Sequence, residues 1–485
     1  MTPTPTLLSL APELLCAIAE HVRIAHLNAD TGNSNTKQVT EEDLMQLRLT
    51  CKYLGDTLES QVLHTIHFSV ENCNYSRATA RLQPLATTKN LLRGLPRSGR
   101  HLYIGPLSPK HIPDLGFPVR KPRDNPTSLL AEELMRTYLC DALSALRNLK
   151  SVTCVRGQFS VPPSSDEQPD SRWTPGMDDE AWTHEAVMEF LASCPSLHVF
   201  EVELTHLKVA VTLDRMQGLR EISFTYDYRF PPAEPVKVQT YNNLTKLLAS
   251  RPASQINQLS VVLTSLHEIF PFFTPEVEPL QLKDLRMYTS MIKLDPLTIP
   301  HLRHLTCLHL LNMMVPSKPW KVNLIPISPG NASAQEVKQE DCISSKMLND
   351  FWLALQRAGI FLKEIKVDSI NDGLLGYLTC YTGLTKLGIE SCFLPSPESS
   401  DPLAKLFFAE SLASHVETLE ELNVKAQDED LWCFGEHNVS AFSRCMGLKT
   451  LSVFVPKTKR PMIVSSRFQP EYLHQKAPKS DEISL

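Results

Sequence analysis

The sequence predicts an α/β repeat protein: helices alternating with short strands that stack into one parallel sheet. Two observations predict it. An apolar phrase of the form leucine, two residues, leucine, one residue, leucine returns ten times, and a stretch with helical apolar spacing precedes most of the copies. A third observation narrows the function. None of the glycine-rich or metal-binding motifs that mark common enzyme folds is present.

The copies begin at Leu149, Leu197, Leu219, Ile256, Leu282, Leu305, Leu362, Leu384, Leu419 and Leu448. This is the core phrase of a leucine-rich repeat. Its last two apolar positions are two apart, so on a strand they share one side and face inward, toward the helices. The residue between them faces outward, onto the concave side of an irregular horseshoe-shaped solenoid. Those outward residues are Glu201, Ser223, Ser260, Arg286, His309, Lys366, Gly388, Asn423 and Ser452, a mixture with no single charge preference. Successive copies start 48, 22, 37, 26, 23, 57, 22, 35 and 29 residues apart. Repeats of this kind span about 20–29 residues, so the array is irregular. The 48- and 57-residue intervals each hold a degenerate repeat or an insertion. Residues 129–149 predict a helix, as do 180–192, 241–249, 345–358, 403–415 and 431–445, each followed by a copy of the phrase.

Bulk properties exclude several classes. Net charge is -6 and 21% of residues are charged, so no basic field calls for nucleic acid or an anionic membrane. The 17 glycines leave little room for phosphate cradles, and the 36 prolines point to irregular connections. The 12 cysteines form no C-x-x-C pair. Several, among them Cys51, Cys140, Cys154, Cys194, Cys307, Cys380 and Cys392, sit in apolar phrases, which suits reduced thiols in a reducing compartment. The opening residues lack the basic and apolar stretches of a signal peptide, and no run reaches the roughly 20 apolar residues of a membrane span. The sequon at Asn331, the acidic run Asp428–Asp430 and the basic patch Lys457–Pro461 read as unremarkable surface. His64 and His67, and likewise His301 and His304, read as surface histidines, because neither pair has the further ligands a metal needs. No cofactor, metal site or catalytic residue is expected.

The first 68 residues differ from the rest. Pro12 suits the first turn of a helix, on which Leu14, Leu15, Ile18 and Val22 share an apolar face. A second helix places Leu44, Leu47, Cys51, Leu54 and Leu58 on one stripe. The phrase Leu10-Ala11-Pro12-Glu13-Leu14-Leu15 with Ile18 resembles the opening of an F-box. That helical module docks substrate receptors onto the adaptor of SCF-type cullin–RING ubiquitin ligases. Leu47-Arg48-Leu49-Thr50-Cys51-Lys52 with Leu44 and Leu54 resembles its second half, and Leu63-His64-Thr65-Ile66-His67-Phe68 resembles the ending common in fungal members. Two departures stand out: Ala11 replaces the leucine before proline, and about fifteen residues (24–38) separate the helices where the family has a few.

The resemblance implies a non-catalytic substrate receptor, cytoplasmic or nuclear, bound to the adaptor and through it to a cullin. It implies adaptor contacts from Leu10, Pro12, Leu14, Leu15, Ile18, Leu44, Leu47, Cys51 and Leu54, with Leu10 and Pro12 facing the adaptor and Leu47 and Cys51 in the module's core. The target protein would lie on the repeat face. The alternative is a repeat scaffold for protein interactions whose F-box is vestigial. The expected organisation is therefore a helical F-box module at 1–68, a proline-rich connection with an early degenerate repeat at 69–128, the repeat array at 129–456, and a poorly ordered tail at 457–485.

Overall fold

A computed structural model describes residues 11–19, 50–54, 57–58, 64–68, 79–80, 82–87, 99–105, 107, 126–146, 148–154, 181–205, 207–226, 232–250, 255–264, 266–270, 278–290, 292, 294, 296–313, 334–390, 397–426, 431–455 and 482–484. The chain divides into two compact units, Met1–Leu219 with Thr225–Asn243, and Arg220–Phe224 with Leu244–Leu485. The helical stretches before the Leu362 and Leu419 phrases lie in the second unit, those before Leu149 and Leu197 in the first.

In the first unit, four parallel strands follow one another in chain order: β1 (Thr65–Phe68), β2 (His101–Ile104), β3 (Ser151–Cys154) and β4 (Val199–Glu203). Among the described residues, α1 (Leu82–Thr87), α2 (Pro126–Ser144) and α3 (Ala181–Ala192) accompany them, besides the helical residues 12–19. The second unit adds eight more parallel strands: β5 (Glu221–Thr225, its last residue counted with the first unit), β6 (Gln258–Val262), β7 (Asp284–Tyr288), β8 (Cys307–Leu311), β9 (Glu364–Val367), β10 (Lys386–Ile389), β11 (Glu421–Val424) and β12 (Thr450–Phe454). Each pairs with the next in sequence. Its helices are α5 (Leu266–Ile269), α6 (Ala334–Arg357), α7 (Asp372–Thr379), α8 (Pro397–Leu406) and α9 (Glu436–Arg444), while α4 (Glu234–Ala249) begins in the first unit. Of the expected tail, Glu482–Ser484 is described, as a strand (β13) antiparallel to β12.

Pairing is in phrase register throughout. Leu285 stands opposite Leu259 and Leu308, Leu387 opposite Ile365 and Leu422, and Leu451 opposite Leu422. A recurring device fixes that register. Two successive N–H groups at the start of a strand donate to one carbonyl of the strand before. Lys283 and Asp284 share the Asn257 carbonyl, Thr306 and Cys307 that of Lys283, Lys363 and Glu364 that of Thr306, and Lys449 and Thr450 that of Glu420. In the first unit, His198 and Val199 share the Lys150 carbonyl in the same way. Repetition of one phrase thus becomes repetition of one backbone geometry, the arrangement of a leucine-rich-repeat-like stack.

Burial follows the phrase. Phe200, Val202, Ile222, Phe224, Leu259, Val261, Leu285, Met287 and Ile365 are all 0% exposed. The helices supply the other half of each core. On α6, Leu348, Phe351, Trp352 and Leu355 are buried at helical spacing. Trp352 meets Tyr377 of α7 with ring centroids 5.2 Å apart. The Tyr377 hydroxyl accepts from the Leu362 N–H (3.0 Å) and donates to the Ile360 carbonyl (2.7 Å), satisfying the turn into β9.

Several expectations need correction. The two long intervals carry no extra strand in the sheet, because β3 pairs directly with β4 and β8 directly with β9. Both are insertions between neighbouring repeats. Helix α4 starts at Glu234, earlier than 241, since Pro235 suits a first turn. Helix α6 starts at Ala334, eleven residues before the expected 345. The 403–415 helix is three pieces: α8 with Pro402 inside it, a π-turn at Phe407–Ser411 and a 3-10 turn at Leu412–His415. Helix α9 starts at Glu436, five residues after the expected 431, where the Asn438 side chain accepts the Gly435 N–H at 3.0 Å. Periodicity had also missed β2, α1 and α7. His301 is not a surface residue: it is 3% exposed, and only His304 faces solvent. Cys140 and Cys380 are exposed, although their apolar neighbours suggested burial.

Close packing between turns leaves one position in the first unit without room for a side chain. A Cβ on Gly218 would lie 2.8 Å from the Pro195 carbonyl oxygen and 2.9 Å from that of Leu197. Gly218→Ala is expected to destabilise the protein by about 1–3 kcal/mol, seen as a lowered urea midpoint; an unchanged midpoint would show that this turn can spread.

Candidate functional site

Two surfaces are candidates: the N-terminal helical segment and the outward face of the strands.

Residues 12–19 are helical, with the Ala11 carbonyl accepting from the Leu14 (3.0 Å) and Leu15 (3.2 Å) N–H groups. Leu15 and Ala19 are buried, as are Leu54 and Leu58 of the second helical stretch. The Cys16 thiol reaches the Thr57 carbonyl at 3.4 Å, so residues 41 apart in sequence meet. Helical periodicity had left contact and core indistinguishable; the structure separates exposed from buried positions. Leu14 (55% exposed) and Ile18 (48%) are one turn apart on the open face, and Pro12 is exposed at its start. Leu15 and Leu54 belong to the interior, and Cys51 is half-buried. Leu10, Leu44 and Leu47 lie outside the described residues, as do the inter-helix stretch 24–38, Asn331, Asp428–Asp430 and Lys457–Pro461.

In the second unit, the outward residues form the ladder that the phrase implies. Ser223 faces Ser260, then Arg286, His309, Lys366, Gly388, Asn423 and Ser452 follow in register. Glu201 lies on the first unit's face, where the Thr153 hydroxyl approaches it at 3.4 Å. A second row runs beside the ladder, and sequence reasoning missed it: Asp284, Cys307, Glu364, Lys386 and Glu421 in register. The first residue of every strand carries it, so alternation alone could have found it.

The two rows are cross-linked. Arg286 holds Asp284 (2.7 Å), and this hydrogen bond keeps the guanidinium above its ordinary value. Lys386 meets Glu421 (2.8 Å), a bond that raises the Lys386 ammonium. Glu390, just past β10, accepts from Lys366 (2.7 Å) and Lys425 (2.8 Å). Burial pushes the Glu390 carboxyl up, but those two bonds outweigh it and hold the group below its ordinary value. His309, 7% exposed, contacts Glu364 at 2.9 Å. Burial lowers the His309 imidazole more than Glu364 raises it, so the ring is neutral near pH 7. Burial, then the carboxylates of Asp284 and Glu364, push the Cys307 thiol up. A thiol so raised is no nucleophile.

The strands end here in strained turns. Leu263, Thr289 and Asn312 each follow the last residue of β6, β7 and β8, and all have positive φ (54°, 48° and 53°) without being glycine. The Asn312 N–H donates to Asp368, which burial nonetheless raises. Non-glycine residues in this region of φ gather where other requirements override local comfort, and these three fall at the same point of three successive repeats.

No protein-family model matches the chain, and no curated protein does. Solved structures do. One is an internalin (inlF) from Listeria monocytogenes, at 13% identity and a TM-score of 0.30, covering 91% of this chain and 98% of that one. That superposition is loose, and the leucine-rich-repeat-like fold rests on the strand register described above.

Proposed function

We propose that the chain is a non-catalytic substrate-recognition subunit of an SCF-type cullin–RING ubiquitin ligase. The N-terminal helices hold the adaptor, the outward strand face holds a target protein, and the pair acts by raising the target's local concentration beside a ubiquitin-loaded partner. The observation that carries this reading is the exposed apolar pair Leu14 and Ile18 on a helix whose opposite side, Leu15 and Ala19, is buried. A helix that spends one apolar face on its own core and leaves a second in water has the form of a partner-docking element. The F-box resemblance of residues 10–18 supplies the identity of that partner, an SCF adaptor carrying a cullin. The strand face supports protein recognition: it is wide, polar and organised by ion pairs that fix side-chain positions more than they stabilise. Among the described residues, no helix is long and apolar enough to cross a membrane. The proposed setting is the cytoplasm or nucleus.

Leu14→Ala is expected to weaken adaptor binding about 10- to 100-fold, the loss of one buried leucine, without moving the thermal midpoint, because Leu14 contributes little to the core. Leu15→Ala should instead lower the midpoint. Calorimetry with purified adaptor reads the first and circular dichroism the second. Adaptor binding absent at roughly 10 µM in the unsubstituted chain would sink the receptor reading. It would leave the repeat scaffold with a vestigial F-box, which Ala11 and the insertion at 24–38 favour.

A further inference from the structure

Cys307 and His309 are two apart on β8, so their side chains leave the same face of the sheet. Glu364 of β9 stands opposite Cys307 in register. The Cys307 Sγ, a nitrogen of His309 and a carboxylate oxygen of Glu364 all lie within 4.8 Å of one another. How they meet decides what they can do. His309 Nε2 is 3.5 Å from Cys307 Sγ and 2.9 Å from Glu364 Oε1. A cysteine–histidine–carboxylate relay needs the two ring nitrogens to face different partners. Here one nitrogen faces both, so the three donors converge on a point. At ordinary zinc bond lengths, neighbouring donors of a tetrahedral site stand roughly 3.3–3.7 Å apart. The 3.5 Å between Sγ and Nε2 meets that without movement, and the 2.9 Å between Nε2 and Glu364 Oε1 has to open by about 0.4 Å.

Two carboxylates, Asp284 and Glu364, stand opposite Cys307 on the neighbouring strands. Arg286 is paired with Asp284 and Lys386 with Glu421, while Glu390 is shared by Lys366 and Lys425. One carboxylate and one thiol, once its proton passes to solvent, together match a divalent ion. Sulfur, nitrogen and oxygen in one set suit a cation of borderline softness rather than magnesium or calcium. We propose that Cys307, His309 and Glu364 bind one zinc-class divalent cation on the outward strand face, with a fourth position open to water or to a donor atom from a bound protein. The site ties β8 to β9 across the insertion that separates them in sequence. It stands whether or not the N-terminal helices bind an adaptor.

Cobalt(II) titration of the full chain, reduced and free of any histidine tag, tests it. One equivalent is expected, with a sulfur-to-cobalt charge-transfer band that zinc abolishes. Cys307→Ser should remove the band and weaken binding at least about 100-fold, beyond the 10- to 100-fold seen for mere supporting residues. Cys140→Ser, at an exposed thiol far along the chain, should change neither. Glu364→Gln, which keeps the side-chain volume, should weaken binding at least about 10-fold with an unchanged circular dichroism spectrum, and it serves if Cys307→Ser does not fold. No binding at roughly 10 µM cobalt, a band that survives Cys307→Ser, or affinity indifferent to Glu364→Gln would each overturn the proposal.

Discussion

Trp432→Ala is expected to cost the second unit about 3–5 kcal/mol. Trp432 is 0% exposed, and its indole N–H donates to the Ser400 hydroxyl at 2.9 Å. Its ring lies 5.4 Å from that of Phe407 and 5.9 Å from that of Phe408, on the π-turn that interrupts the preceding helix. Beside it the Leu431 N–H donates to Asp401 (3.0 Å), and Asn438 spans the Gly435 N–H and the Cys433 carbonyl. Truncation leaves a void that these bonded turns cannot collapse into, and it removes one buried hydrogen bond to Ser400. Repeat arrays share stability between neighbours, so the loss should also loosen β11 and β12. Urea denaturation followed by circular dichroism measures it. Trp432→Phe, which fills most of the volume, should cost about 1–2 kcal/mol. A loss below 1 kcal/mol for the alanine variant would mean that the aromatic cluster is not a core.

Acidification should destabilise the second unit between pH 6.5 and about 4, and His415 should account for about 3 kcal/mol of that loss. The residue is 2% exposed, and burial depresses its imidazole from 6.5 to about 4, only partly offset by the Leu378 carbonyl. Its Nδ1 accepts the Leu384 N–H at 3.4 Å, at the first residue of the β10 phrase, and its ring meets the edge of Tyr381 at 4.9 Å. The sign follows from the depressed value. Above pH 6.5 the ring is neutral both folded and unfolded, and nothing is lost. As pH falls toward 4 the unfolded chain takes up a proton that the folded one refuses, and stability drops; below 4 the slope vanishes. His301 repeats the device, with Nδ1 accepting the Leu280 N–H at 3.3 Å, a ring stacked on Phe270 and an imidazole lowered by burial. His415→Asn retains an acceptor for Leu384 but cannot titrate in this range. Its urea midpoint should vary less with pH than that of the unsubstituted chain; equal slopes would refute the assignment.

These two histidines show where local reading stops. Their sequence neighbourhood offers no reason for burial, because what buries them is the start of another repeat. The long intervals make the same point. Composition marked 315–341 as loop but left open whether the interval held an insertion or a degenerate repeat, and the direct pairing of Cys307 with Glu364 decided it. The phrase itself was legible because alternation on a strand is a local property: Leu285 and Met287 must share a side whatever lies beside them. So was the ladder from Ser223 to Ser452, since equal phrases paired in equal register must align the same position.

The sequence by itself determined which side of each phrase-bearing strand is apolar and that helices precede many of them. Periods of 2 and 3.6 residues are written along the chain and need no partner to be read. Tertiary structure alone decided that Leu15 is covered while Leu14 is not, because that depends on Leu54, Thr57 and Leu58 arriving against one side of the helix. It alone brought Cys307 and His309 to Glu364, 55 residues beyond His309. Contacts across such distances are set by backbone pairing between repeats, and no local pattern encodes which repeat will be the neighbour.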